Sequence, residues 1–107
     1  AIIEPHRYSR TLRFLDDFLI CCKEADMAII IPIYAAGEAP LDIDHHGLRE
    51  KMRDKIPMVY AVDHETQLHA LIKKIATPHD SILCMGAGSI THWAKNLTTY
   101  LETPLKE

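Results

Sequence analysis

The residues best suited to chemistry lie close to the start of the chain. Segment 4–11 reads EPHRYSRT and places a histidine and two arginines between a short apolar run and a helical pattern. Arg7 and Arg10 carry planar guanidinium groups, whose N–H donors match carboxylate and phosphate oxygens. We interpret this segment as an anion-binding loop. Two alternatives stay open, because the arginines can instead pair with nearby aspartates or solvent, and His6 can simply bond to a backbone carbonyl.

A second candidate is a glycine-rich turn near the end of the chain. It consists of Gly86, Ala87, Gly88 and Ser89. Glycine lets the backbone approach a ligand closely, and the start of the helix that follows favours a negative group. Thr91 stands where a dinucleotide-binding motif has its third glycine, so the motif is incomplete, and a plain strand-to-helix turn is the alternative. Tyr34 and Glu38, in an intervening loop, can contact a ligand or face solvent.

Other chemically capable residues do not form a convincing site in the sequence. Adjacent residues on a helix point apart, and no cysteine or third histidine lies near His45 and His46, so we expect no metal site there. The three cysteines lack a C-x-x-C spacing, which favours reduced thiols in a cytoplasmic setting. The chain contains no G-x-x-x-x-G-K-[ST] segment, so any ATP triphosphate would be held by residues outside it.

Composition limits the classes of partner. The chain has 107 residues, which suits a single domain, with 48% hydrophobic and 25% charged residues. Its net charge is −3 without a basic run, which argues against a nucleic-acid or anionic-membrane partner. No apolar run approaches the roughly 20 residues of a membrane span.

Four apolar runs alternate with helical patterns and so predict the fold. The runs, each typical of a buried strand, are 1–3, 27–33, 58–62 and 81–85. Helical spacing follows each run: at 12–22 after Ser9 as cap, from Asp42 or Asp44 to Arg53, after Asp63 as cap, and after segment 86–89. Such alternation predicts a parallel sheet covered by helices. The carboxyl ends of its strands would bring both candidate segments to one edge.

Three motifs, in this order and at these spacings, resemble the C-terminal domain of the Mur ligases. They are PHRYSRT at 5–11, YAAGE at 34–38 and GAGSI at 86–90. The sequence LDDF at 15–18 continues the first motif as it does in that family. The PHRYSRT motif favours the alanine-adding branch of the family over the branch that recycles murein tripeptide. Ser89 departs from the pattern, since the family usually has asparagine there.

The resemblance implies a cytoplasmic ligase of bacterial peptidoglycan synthesis that depends on ATP and Mg²⁺. In this family ATP phosphorylates the carboxylate of UDP-N-acetylmuramate, and the amine of L-alanine attacks the acyl phosphate. Residues matching Arg7 and Arg10 are expected to bind the amino acid and nearby anionic groups. We expect His6, Tyr34 and segment 86–89 to line the same end of the cleft, whereas ATP and Mg²⁺ would be bound mainly by other domains.

Mur ligases have three domains, and residues 1–107 are expected to form the last of them, which closes over the site. We expect a Rossmann-like, open, mostly parallel sheet with helices on both faces, lacking the first strand and helix of the family's domain. An exposed sheet edge would then favour dimerisation. We expect this chain to be inactive alone. The alternative is a free-standing, non-catalytic α/β module that binds a nucleotide or regulates another protein.

Overall fold

The computed structural model describes residues 1–13, 15–41, 43–56, 58–86 and 88–102, with only the backbone given for residues 18 and 21. It contains a sheet of four parallel strands in the order β3-β2-β1-β4. The strands are β1 (Ile2–Ile3), β2 (Ala28–Ile30), β3 (Val59–Ala61) and β4 (Cys84–Met85). The helices are α1 (Tyr8–Arg13), α2 (Leu15–Cys22), α3 (His45–Met52), α4 (Glu65–Ile75) and α5 (Ile90–Glu102).

Helices cover both faces of this sheet. Ala28 and Ile30 pack into one hydrophobic cluster with residues of α2 and α3, among them Leu19 and Leu48. Ile29, between them in β2, points to the opposite face and packs with residues of α4 and α5. Side chains alternate across a strand, so the run of isoleucines must be buried on both sides. The predicted open, parallel α/β fold of Rossmann type, with helices on both faces, is confirmed.

Two predicted helix caps are wrong, and one is confirmed. The first helix begins at Tyr8, so Ser9 lies inside it and bonds to Glu38 instead of capping it. The cap of α4 is His64 rather than Asp63, and its N–H donates to the Gln67 side chain at 3.1 Å. Asp44 does cap α3, because its carboxylate accepts from the Gly47 N–H at 2.7 Å. Asp42, the alternative cap, lies outside the described residues.

The strand predicted over 81–85 is reduced to its last two residues, Cys84–Met85. This strand has a neighbour on only one side within the described sheet, and the Leu83 side chain before it is 61% exposed. Its partner β1 is itself only two residues long, and the two residues of β4 pair with Ile2 and Ile3 of that strand. No helix in the described part of the chain is long and apolar enough to cross a membrane.

Candidate functional site

The loops that follow β1 and β2 run side by side at the carboxyl edge of the sheet. The Tyr34 N–H donates to the Pro5 carbonyl at 2.8 Å, and the Arg7 N–H donates to the Tyr34 carbonyl at 2.7 Å. These bonds form a parallel bridge between His6 and Tyr34, beyond the ends of both strands. Backbone hydrogen bonds therefore hold the loop that carries Arg7, between β1 and α1, against the YAAGE loop at 34–38.

Glu4 connects this pair of loops to the glycine-rich turn. Its side chain is 5% exposed, and one carboxylate oxygen accepts from the Gly88 N–H at 2.9 Å and the Ile90 N–H at 3.3 Å. These N–H groups lie at the start of α5, where a negative group is stabilised by unpaired donors and the helix dipole. A carboxylate of the chain itself thus occupies the anion position that the sequence suggested for a ligand.

Sequence reasoning missed Glu4, although one signal was available. A carboxylate directly after two buried strand residues is costly to bury without hydrogen-bond donors. The donors it uses lie 84 residues away in the sequence, at Gly88. The need for a partner was therefore predictable from the local sequence, but the identity of the partner was not.

The Tyr34 ring packs directly on the glycine-rich turn. A Cβ placed on Gly88 would lie 2.7 Å from the Tyr34 Cγ atom, so a larger residue at position 88 would displace the ring. The same ring lies beside the His6 ring, with centroids 5.6 Å apart. His6, Tyr34 and Gly88, all predicted as site residues, therefore form one continuous surface built from three loops.

Arg7 adopts a backbone conformation that is unusual for a residue with a side chain. Its φ angle is +64°, in the left-handed region that disfavours non-glycine residues by about 1–2 kcal/mol. Its carbonyl accepts from the Thr11 N–H at 3.1 Å and the Thr11 hydroxyl at 2.7 Å, which holds the conformation in place. Strain of this kind clusters at functional loops, and here it leaves the Arg7 side chain exposed at the sheet edge.

A cavity of about 350 Å³ opens beside the loop after β1 and the α1 helix that follows it. Its lining residues are Ile3, Glu4, Pro5, His6, Arg10, Thr11, Asp17, Cys22, Met85 and Gly86. Within the described residues, the buried Nδ1 atom of His6 has no hydrogen-bond partner. The lining contains one arginine, Arg10, together with the ring-bearing residue His6 and the acidic residues Glu4 and Asp17.

A larger cavity, of about 650 Å³, lies at the opposite end of the strands. Its lining includes Ala1, Met27 and Ser81, which precede the strands or stand at their beginning. Ligands of open α/β sheets bind beyond the carboxyl ends of the strands. We therefore assign the candidate site to the smaller cavity.

Among the described residues, Ser89 is a predicted site residue that no observed contact brings into this arrangement. Ser89 is exposed, and its carbonyl accepts from the His92 and Trp93 N–H groups within α5. Ala87 lies outside the described residues. The role of the whole predicted set in binding a substrate stays a prediction.

Glu38 fixes the YAAGE loop against the start of α1. Its carboxylate accepts from the Ser9 N–H at 2.8 Å and the Ser9 hydroxyl at 2.5 Å. The hydroxyl, and then the backbone N–H, hold the pKa of Glu38 below its ordinary value of 4.5. The structure thus answers the question left open by the sequence, because Glu38 contacts Ser9 rather than solvent alone.

The Glu38 interaction predicts a dependence of stability on pH. A lowered pKa in the folded state means that the ionised carboxylate stabilises the fold above the ordinary value of 4.5, and that this stabilisation is lost as pH falls through the folded pKa. The Glu38→Gln variant should be less stable than the unsubstituted chain at neutral pH, with the difference shrinking in acid. Urea unfolding across the pH range measures this, and a constant difference would contradict it.

Glu4 gives a stability prediction with a matched control. Glu4→Ala leaves the N–H groups of Gly88 and Ile90 without their acceptor, and should lower the free energy of unfolding by about 1–3 kcal/mol. Glu4→Gln keeps one carbonyl oxygen and should cost less than about 1 kcal/mol. Urea unfolding followed by circular dichroism compares them. Equal losses in the two variants would show that the acceptor oxygen contributes little.

The paired histidines contradict the sequence-based expectation that they point apart. The Nε2 atoms of His45 and His46 lie 2.8 and 2.6 Å from the same oxygen of Asp63, and the two ring centroids are 4.3 Å apart. The hydrogen bonds from His46 and then His45 hold the pKa of Asp63 below its ordinary value. The expectation that the two side chains point apart is wrong because both imidazoles bond to one carboxylate, that of Asp63, which lies 17 and 18 residues further along the chain.

Three curated relatives that this chain matches share one protein name. No family model matches the chain. The chain is 40% identical over 96 residues to the UDP-N-acetylmuramate–L-alanine ligase of Methylobacterium nodulans. The matched segment covers 88% of the chain and 20% of that protein. Identity to the enzyme of the same name from Parvibaculum lavamentivorans is 40% over 99 residues, covering 91% of the chain and 20% of that protein. Identity to the Rhodospirillum rubrum enzyme is 38% over 104 residues, covering 95% of the chain and 22% of that protein. The chain thus spans about a fifth of the length of these curated relatives.

Proposed function

Because this chain belongs to the UDP-N-acetylmuramate–L-alanine ligase family, we propose that it forms the domain of such a ligase that closes over the amino-acid end of the catalytic cleft. The observation that supports the proposal most strongly is the meeting of the three family motifs at one sheet edge. Backbone bonds join the loops of Arg7 and Tyr34, and Glu4 joins them to the turn at Gly88. The domain assignment, to the C-terminal part of a cytoplasmic enzyme of peptidoglycan synthesis, is part of the proposal.

In this proposal, ATP and Mg²⁺ are bound mainly by residues outside this chain. The chain has no G-x-x-x-x-G-K-[ST] segment, and the start of α5 is already occupied by the Glu4 carboxylate. Activation of the UDP-N-acetylmuramate carboxyl group is therefore assigned to residues outside this chain. The contribution of these residues concerns the second reactant, L-alanine.

The proposed role of the cavity follows from the chemistry of an amino acid. The guanidinium group of Arg10, at the cavity, suits the carboxylate of L-alanine, and Arg7 adds a second cation at the same edge. His6 lines the same cavity, and its Nδ1 atom is buried without a hydrogen-bond partner among the described residues. Closure over the cleft would exclude water, so that the amine rather than water attacks the activated carboxyl group.

A chimeric enzyme tests this function. The segment of the Rhodospirillum rubrum ligase that matches this chain is replaced by residues 1–107, and ATP-dependent joining of labelled L-alanine to UDP-N-acetylmuramate is measured. We expect kcat/KM to stay within about tenfold of the unmodified relative. The relative with the segment deleted, and this chain alone, should both be inactive. A folded chimera with no more activity than the deletion variant would contradict the proposal.

Calorimetry separates this proposal from a free-standing nucleotide-binding module. ATP, UDP-N-acetylmuramate and L-alanine are titrated separately into the 107-residue chain. The occupied position at the start of α5 argues against a phosphate there, so we expect no tight binding of ATP. Tight binding of ATP by the chain alone would support the module instead.

Within the described sheet, β4 has a partner strand on one side only, which supports the further expectation that the isolated chain self-associates. Ile82, Leu83 and Met85 are 38%, 61% and 37% exposed along this strand and its approach. An apolar, unpaired strand edge favours pairing with a second copy. Light scattering should show dimers that increase with concentration, and a monomer at every concentration would contradict this.

A further inference from the structure

Three side chains of kinds that bind metals lie together at the carboxyl edge of the sheet, next to the outer strand β3. His45 and His46 begin α3, and Asp63 lies between β3 and α4. One ligand atom from each residue can be chosen so that all three lie within 4.8 Å of one another. We propose that this cluster, two imidazole nitrogens and one carboxylate oxygen, binds a single divalent transition-metal ion such as Zn²⁺. The proposal is independent of the ligase function.

The fold holds these side chains in position. The His45 side chain is only 12% exposed, so its ring is fixed by packing. The Asp63 N–H donates to the Gln67 side chain at 2.6 Å, and Asp44 caps the helix that carries both histidines. His46 and Asp63 are 51% and 47% exposed, which gives an ion and its water ligand access. The cluster therefore combines one ligand fixed by packing, His45, with two ligands that face an open side, His46 and Asp63.

The present spacing is close to the spacing that a metal requires. The imidazole Nε2 atoms lie 2.8 and 2.6 Å from one Asp63 oxygen, which are hydrogen-bond distances. Bonds of about 2.0–2.2 Å to a tetrahedral Zn²⁺ would place the ligand atoms about 3.3–3.5 Å apart. Binding thus requires each imidazole nitrogen to move about 0.5–0.9 Å away from the Asp63 oxygen. The remaining pair of ligand atoms, which lies within 4.8 Å, must reach the same spacing, and the half-exposed His46 and Asp63 can rotate to allow this. Coordination through Nε2 requires each neutral imidazole to carry its proton on Nδ1, so the ion would take the place of the present Nε2 contacts with Asp63.

The ligand types select the class of metal. Imidazole nitrogen suits Zn²⁺, Co²⁺, Ni²⁺ and Cu²⁺, whereas Mg²⁺ requires an octahedral set of oxygens. Three protein ligands leave a fourth position for water, as in open zinc sites. The amino-terminal ends of α3 and α4 oppose a cation, and the single carboxylate offsets them only in part, so we expect moderate affinity.

The position of this cluster separates it from the candidate amino-acid site. In the sheet order β3-β2-β1-β4, Asp63 follows the outer strand β3, whereas the site at Arg10 uses the loops after β1, β2 and β4. An ion bound by both histidines and Asp63 would tie the start of α3 to the β3–α4 junction. We therefore expect it to raise stability, because it binds only the folded chain.

Titration of the 107-residue chain with Zn²⁺ in a calorimeter tests the site. We expect one ion per chain, and a weakening of at least about tenfold in His46→Ala and in Asp63→Asn. His92→Ala, which removes an exposed histidine of α5 outside the cluster, should bind like the unsubstituted chain. Co²⁺ bound to the unsubstituted chain should give the visible absorption of a low-coordinate site, and this absorption should be much weaker in His46→Ala and Asp63→Asn. An excess of Mg²⁺ should not weaken the binding of Zn²⁺.

Two results would overturn the proposal, each with folding of the variants verified by circular dichroism. The first is the absence of Zn²⁺ binding to the unsubstituted chain. The second is binding that His46→Ala and Asp63→Asn leave unchanged, which would place the ion elsewhere. His46 and Asp63 are both half-exposed, so neither substitution should prevent folding.

Discussion

Replacing Gly86 by alanine is expected to lower the free energy of unfolding by about 3 kcal/mol or more. The new Cβ would lie 2.6 Å from the Ile90 Cγ2 atom and 2.8 Å from the Glu4 Cβ atom. Both neighbours are buried, at 2% and 5% exposure, so neither can move into solvent. The φ angle of Gly86 is +156°, which adds backbone strain for any residue with a side chain. Urea unfolding followed by circular dichroism measures the loss.

Gly37→Ala is the matched control for this substitution. Gly37 also has a positive φ, +84°, but among the described residues no atom beyond its own chain neighbours lies within 4 Å of the position that its Cβ would occupy. This variant should show only the backbone cost, about 1–2 kcal/mol. Equal losses in the two variants would mean that the contact of Gly86 with Glu4 and Ile90 does not constrain the turn.

The second large effect is expected on catalysis. In the chimeric ligase, Arg10→Ala should lower kcat/KM by about 10- to 100-fold, because a charged hydrogen bond to a carboxylate contributes about 1.5–3 kcal/mol. Arg10→Lys keeps the charge but loses the planar pair of donors, so it should recover only part of the loss. Arg7→Ala should act in the same direction. A steady-state assay of L-alanine joining measures all three variants.

Arg53→Ala provides the control for a lost surface arginine. Arg53 caps the end of α3, its side chain is 56% exposed, and it pairs with Glu50 at 3.2 Å. A surface ion pair contributes little, so this variant should keep kcat/KM within about twofold of the parent chimera. If Arg10→Ala stayed within about threefold of the parent, the proposed anion-binding role of Arg10 would be wrong.

The fold was predictable because its signals are local. The run from Met27 to Ile33 is apolar at every position except one proline, and only a strand buried on both faces requires this. The helical spacing of Leu68 and Ile72 indicates which face of α4 is buried, and both residues are buried. Asp44 caps the helix immediately after it. Each of these features depends on residues within a few positions.

The site was less predictable because its ties join distant parts of the chain. The local sequence predicts a helix cap at Ser9, yet Ser9 bonds to Glu38, 29 residues away. It predicts a cap at Asp63 in the same way, yet Asp63 bonds to His46, 17 residues before it. In both cases a good local role competed with a partner that only the tertiary fold brings near. The polar residues beside the strand ends were recognisable, but their partners were not.

The central claim, that this sheet edge forms the amino-acid side of a ligase cleft, is tested most directly by separate KM values in the chimera. The KM values for L-alanine and for ATP are measured for the parent and for Arg10→Ala. We predict that the KM for L-alanine rises at least about tenfold while the KM for ATP changes less than about twofold. A rise in the KM for ATP with an unchanged KM for L-alanine would contradict the claim.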